Sequence, residues 1–162
     1  MKNTIQDKTK LVNSVFSQVY KKYDLMNDIM SLGIHRIWKE KFIDWMNPQP
    51  QSKLIDVASG TGDIAKLFLD RTNNSAQVTC VEPNNGMLKQ GKLKLNKYNS
   101  ISWINSNAEN IPVKDNTFDY YSISYGIRNV SNINITLKEA LRVLKPVGRF
   151  MCLEFSKIDN EI

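Results

Sequence analysis

An α/β fold built on a doubly wound parallel sheet is predicted for residues 51–162 by three observations. Short apolar runs recur along this stretch, helical patterns fall between them, and the first run ends in a glycine turn that opens directly into a helix. Strands alternating with helices at this spacing imply right-handed crossovers, and ligands of such sheets gather at the carboxyl ends of the strands. The 162 residues suffice for one domain with a core and are too few to expect two.

Before Met46 the periodicity is helical from about Thr9, with Val12, Val15, Phe16, Val19 and Tyr20 on one face. Shorter helical pieces follow, broken near Asp24 and Gly33, and the proline-rich "NPQPQ" closes the segment. Residues 1–50 are therefore expected to form a helical extension packed on the domain that follows. Met26, Met30, Trp38, Trp45 and Met46 would supply core, or the lining of an apolar channel. The single histidine, His35, is expected to be structural, fixing the turn after Gly33 or packing beside Trp38.

Strands are expected at Lys53 to Ala58, Gln77 to Glu82, Ile101 to Asn105, Phe118 to Ser124 and Arg149 to Phe155, with helices at Gly62 to Asp70, Gly86 to Lys94 and Ile133 to Leu144. "LKPVGR" ends the last helix and turns into the fifth strand. Cys80 and Cys152 both fall in strands expected to be buried and are read as inert core thiols, and with one histidine no metal cluster can be assembled. No long apolar run and no signal-like segment opens the chain, so the expected location is cytoplasmic. A net charge of +6 is compatible with anionic partners, yet the lysines are scattered and no basic stripe interleaves with aromatics, which argues against nucleic acid.

"KLIDVASGTGDIAK" carries the chemistry. Gly60-x-Gly62-x-x-Ala65 fits the loose dinucleotide fingerprint. A pyrophosphate on that helix start would face Asp56 and Asp63, however, and like charges repel. A ligand that is cationic here and carries no phosphate suits the turn better, and S-adenosylmethionine is one, with glycines that let the backbone approach it. Glu82 ends the second strand, 20 residues beyond Gly62, where a carboxylate can accept ribose hydroxyls. Asn107 and Ala108 follow the third strand beside the expected adenine, and Ser124, Tyr125 and Arg128 overlie the pocket from the fourth.

The segments "VFSQVYKKYDLMNDIMSLGIHRIWK", "DVASGTGD", "NAENIPVKDNTFD", "SYGIRNV" and "LRVLKPVGRFMCLEFSK" together resemble the ubiquinone/menaquinone biosynthesis C-methyltransferases, which are class I S-adenosylmethionine-dependent enzymes with a Rossmann-like core. The resemblance implies methyl transfer to a ring carbon of a prenylated benzoquinol or naphthoquinol, without a metal. It also implies cofactor contacts at Asp56, Gly60, Thr61, Gly62, Glu82, Asn107, Ala108, Ser124 and Tyr23, and catalytic roles for Arg128, Tyr125 and Asp24. Tyr23 and Asp24 would close over the cofactor. The family more often has aspartate where this chain has Glu82. A prenylated substrate implies peripheral contact with the inner membrane and a quinone-biosynthesis complex as partner. Family members continue past the fifth strand in the order 3-2-1-4-5-7-6, so the last two of seven strands are expected to be missing and "RFMCLEF" to form an edge. Two alternatives follow: a methyltransferase for another small molecule, and a non-catalytic remnant that binds cofactor or partner subunits.

Overall fold

The computed structural model describes residues 34–155. The chain divides into two compact units, Met1–Lys39 and Glu40–Ile162. In the first, residues 34–39 are the opening turns of helix α1 (Ile34–Met46). Tyr23, Asp24, Met26 and Met30, with the long helical pattern before them, lie outside the described residues.

The second unit alternates strand and helix as expected. β1 (Lys53–Val57) leads to α2 (Asp63–Arg71), β2 (Gln77–Val81) to α3 (Asn85–Lys94), and β3 (Ile101–Ile104) by a long loop to β4 (Phe118–Ser124). A 3-10 turn (Ile127–Asn129), α4 (Ile133–Val143) and β5 (Leu144–Leu153) complete it. All five strands pair in parallel in the order β3-β2-β1-β4-β5. β1 is thus central, and its carboxyl end is flanked by those of β2 and β4.

Strand alternation sorts the core into two layers, as a sheet covered on both faces requires. Leu54, Val78, Cys80 and Tyr120 face Phe42, Ile43 and Met46 of α1 together with Ile64, Phe68 and Leu69 of α2. Ile55, Val57, Val81, Tyr121 and Ile123 face Ile111 and, from α4, Ala140 and Val143. Asparagines set the starts of α3 and α4. Asn84 Oδ1 accepts from the Gly86 and Met87 amides at 2.9 and 3.1 Å, and Asn132 Oδ1 from that of Ile135 at 3.1 Å, the usual satisfaction of orphan N–H groups.

Three expectations change. The fifth strand starts at Leu144, where it pairs with Phe118, and then bulges before Arg149 pairs with Tyr120. Val147, held at a left-handed φ of 63°, sits in that bulge. A proline is tolerated there because Pro146 lies in an outermost strand. Cys152, expected in the core, is exposed, whereas Cys80 is buried. β5 has a neighbour only on its β4 side, so a side chain there lacks the cover that β2 enjoys. Burial pushes the Cys80 thiol well up, which keeps it protonated and unreactive. Trp45, expected in a core or channel, is also exposed, while Met46 three-dimensionally joins the α1–α2 layer.

Candidate functional site

The carboxyl end of β1 runs into a turn that only a permissive backbone can make. Ala58, Gly60 and Gly62 all have positive φ, at 53°, 57° and 84°. At Gly62 the chain enters α2, and a Cβ there would stand 2.7 Å from Leu95 Cδ1 and 3.0 Å from Trp103. Glycine is therefore required twice over, by conformation and by space.

Glu82 ties this turn to β2. Its Oε2 accepts from the Gly60 amide at 2.8 Å and its Oε1 from the Asn84 amide at 2.8 Å. One buried carboxylate thus fixes two loops and keeps acceptor capacity beyond those two bonds. The Gly62 amide is taken by the Ser59 carbonyl at 2.9 Å. Asp56, buried in β1, accepts from Ser122 Oγ of β4 at 2.7 Å and locks those strands in register just below the turn.

Asp63 opens α2 with its carboxylate 2.5 Å from Lys94 Nζ, which also reaches Thr61 Oγ1 at 3.1 Å. The repulsion expected from Asp63 is therefore partly neutralised, and the acidic character of the turn rests on Asp56 and Glu82. Lys94 had no signal in the sequence, because it stands at the far end of another helix.

Asn105 Nδ2 donates to the carbonyls of Glu82 and Pro83, both at 2.9 Å, and carries the loop after β3 past the Glu82 end. Two residues on, Asn107 is exposed and Ala108 is buried in the α4 layer. Arg142 holds the rest of this loop. It donates to the Ile111 and Val113 carbonyls at 2.9 and 2.8 Å, to Asp115 at 2.6 Å and to Glu139 at 2.8 Å. The Arg142 hydrogen bonds hold the Glu139 carboxyl below its ordinary value of 4.5. A lowered carboxyl stabilises the fold above the unfolded value and loses that contribution as pH falls through the folded one. Below about pH 4.5 the wild-type denaturation midpoint is therefore expected to fall more steeply than that of Arg142→Met, as urea titrations from pH 6 to 3 would measure.

The end of β4 closes against the β1 turn. A Cβ on Gly126 would stand 2.6 Å from Ala58 Cβ. Tyr125, at a left-handed φ of 55°, donates its amide to the Leu153 carbonyl at 2.7 Å and stacks on Phe155 at 4.8 Å. Arg128 is half exposed, lies 5.6 Å over the Phe155 ring and 3.6 Å from Glu154 Oε1. The structure therefore brings Asp56, Gly60, Thr61, Gly62 and Glu82 to the β1 end and its turn, where Gly60 and Glu82 are bonded to each other, with Ser124 and Tyr125 at the end of the neighbouring β4. Arg128 is engaged by Glu154 and Phe155, just past β5, and Tyr23 and Asp24 lie outside the described residues. Glu154, Asn84, Asn105 and Ser122 were missed by sequence reasoning; only Asn84, in "PNNG" before a helix, carried a readable capping signal.

Among the described residues no group of three His, Cys, Asp or Glu could hold a metal, and no helix is long and apolar enough to cross a membrane.

Residues 2–162 match the model of the ubiE/COQ5 methyltransferase family. The chain is 45% identical to 2-methoxy-6-polyprenyl-1,4-benzoquinol methylase, mitochondrial, of Dictyostelium discoideum, over 97% of this chain and 60% of that one. It is 53% identical to the ubiquinone/menaquinone biosynthesis C-methyltransferase UbiE of Rickettsia massiliae, over 93% and 63%. It thus spans about three fifths of the length of these curated relatives. Among solved structures it is similar to a SAM dependent methyltransferase from Aquifex aeolicus, at a TM-score of 0.68 and 21% identity, over 76% of this chain and 67% of that one. It is likewise similar to the YcgJ protein from Bacillus subtilis, at 0.64 and 21%, over 69% and 47%. These structures carry the Rossmann-like fold.

Proposed function

This chain belongs to the ubiE/COQ5 methyltransferase family, and from that premise we propose that it is an S-adenosylmethionine-dependent C-methyltransferase acting on a prenylated quinol ring. The observation that carries the reading is the state of the β1 turn. The Gly60 amide is spent on Glu82 and the Gly62 amide on Ser59, so the donors a pyrophosphate would need are occupied and buried acid stands beside them. A cofactor with a sulfonium, an ammonium and a ribose diol suits that environment.

In this reading the turn at Gly60, Thr61 and Gly62 receives the methionine portion, the Glu82 lone pairs accept from the ribose, Asn107 and Ala108 flank the adenine, and Asp56 keeps the β1 end in place. S-adenosylmethionine would supply an activated methyl group. Ser124 and Tyr125 sit where that methyl group would face an acceptor ring. Arg128 stabilises the negative charge on the ring oxygen, directly or by holding the water that accepts the ring hydroxyl's proton, and positioning supplies most of the remaining acceleration. The same reading places the protein in the cytoplasm, with peripheral contact at the inner membrane where prenylated substrates reside and with other quinone-biosynthesis proteins as partners.

Calorimetry is the test. Heat with S-adenosylmethionine and its demethylated product, and none with NAD, is expected; the reverse would sink the proposal. Methylation of a short-chain prenyl quinol then separates the enzyme from its alternatives. Cofactor binding with no turnover of benzoquinol or naphthoquinol points to a different small-molecule acceptor or to a non-catalytic chain.

A further inference from the structure

The ends of β4 and β5 hold three buried polar atoms with no hydrogen-bond partner among the described residues: Ser124 Oγ, Tyr125 Oη and Glu154 Oε2. Buried polar groups are satisfied in all but a few cases, and an orphan asks for an explanation. Three at one edge, on adjacent strands, ask for a shared one. A further orphan, Tyr121 Oη, lies deeper in the sheet, where burial raises its phenol, and it does not face this edge by chain position.

Glu154 is the unexpected member. Its side chain is only 16% exposed. Its Oε1 is engaged by the Phe155 amide at 3.0 Å and faces the Arg128 guanidinium at 3.6 Å, while Oε2 points into buried space. The Tyr125 phenol belongs to the same corner, because the Tyr125 amide reaches the Leu153 carbonyl and its ring stacks on Phe155, the residue after Glu154; burial and the nearby Glu154 charge both raise this phenol. It is therefore a protonated donor beside a carboxylate acceptor. The ring of Phe155 packs against Tyr125 on one side and Arg128 on the other, which gives the pair an aromatic floor. β5 is two strands from β1, or about 10 Å across the sheet at the usual strand spacing, so Glu154 is set apart from the acidic turn assigned to the cofactor.

We propose that Glu154 and Tyr125 form a recognition site for the hydroxyl of an aromatic diol, the Glu154 carboxylate accepting from it and the Tyr125 phenol donating to it. This rests on the quinol reading above and adds the residue that selects a free ring hydroxyl over its ether. A site built to hydrogen-bond a hydroxyl rejects the analogue lacking it, because its own polar groups are then left unpaired.

Methylhydroquinone and its dimethyl ether, titrated anaerobically into protein saturated with S-adenosylhomocysteine, test the proposal. The diol is expected to bind at least tenfold more tightly than the ether. Glu154→Gln is expected to erase that preference with S-adenosylmethionine affinity held within twofold, and Tyr125→Phe to reduce it severalfold. Equal binding of diol and ether, no detectable diol binding, or a Glu154→Gln effect confined to the cofactor would overturn it. Circular dichroism of both variants guards against misfolding. Failure of the function reading shows separately, as absence of S-adenosylmethionine binding by the wild-type chain.

Discussion

Glu82→Ala is expected to weaken S-adenosylmethionine binding by about a hundredfold or more, or about 2.7 kcal/mol, and to destabilise the fold by about 2–4 kcal/mol. Both effects have one origin. The carboxylate accepts from the Gly60 and Asn84 amides, and hydrogen bonds to a charged group contribute about 1.5–3 kcal/mol each. Alanine leaves both amides without their acceptor and frees a turn that already holds three positive-φ residues. It also removes the carboxylate proposed above to accept from the ribose diol. Glu82→Gln separates the two consequences. One amide oxygen can still accept, while the NH2 group faces a backbone N–H and repels it, so stability should fall less than in the alanine variant and affinity nearly as far. Calorimetry for the cofactor and urea denaturation for the fold are the measurements. An alanine variant that binds as tightly as the wild type would remove Glu82 from the cofactor site.

The sequence announced the sheet because its strands are buried on both faces. β1 and β4 are buried at all but one and all but two of their positions, as strands of a parallel sheet between helix layers are, and Leu54, Ile55, Val57, Phe118, Tyr120, Tyr121 and Ile123 made that readable. The glycine turn was legible for a similar reason: residues that must adopt left-handed backbone advertise it. Glu82 was found by its spacing, but its hold on the Gly60 amide was not, since that bond joins residues on different strands. Lys94 and Glu154 illustrate the limit. Each acts through a partner 26 or more residues away in sequence, Asp63 or Arg128, and neither pairing leaves a periodic trace. Cys152 was misplaced because apolar neighbours in "RFMCLEF" look the same whether a strand is central or outermost. Strand type is written in composition, whereas strand position is written only in the topology.

Phe68→Ala should produce the largest loss of stability, about 3–5 kcal/mol. Phe68 lies on the inward face of α2, is fully buried, and meets the Tyr120 ring edge-on with centroids 5.5 Å apart. Tyr120 in turn donates its hydroxyl to the Asn47 carbonyl at 3.1 Å, so the cavity would open where α2, β4 and the segment after α1 meet. Surrounding side chains are held on strands and relax only in part, which is why the loss exceeds simple transfer of the ring. Against a total stability of about 5–15 kcal/mol for a domain of this size, the variant should lose a large share of its denaturant resistance. Its m-value should stay near that of the wild type if unfolding remains two-state. Phe68→Leu keeps most of the volume and should retain more than half of the stability. The functional corollary is sharper. Gly62 directly precedes α2, so the packing of Phe68 on that helix is expected to help anchor the turn proposed for the cofactor. If the Phe68→Leu protein, still folded, binds S-adenosylmethionine as tightly as the wild type, the turn is held by Glu82 and Lys94 alone; a weakened affinity assigns part of its rigidity to the core beneath it.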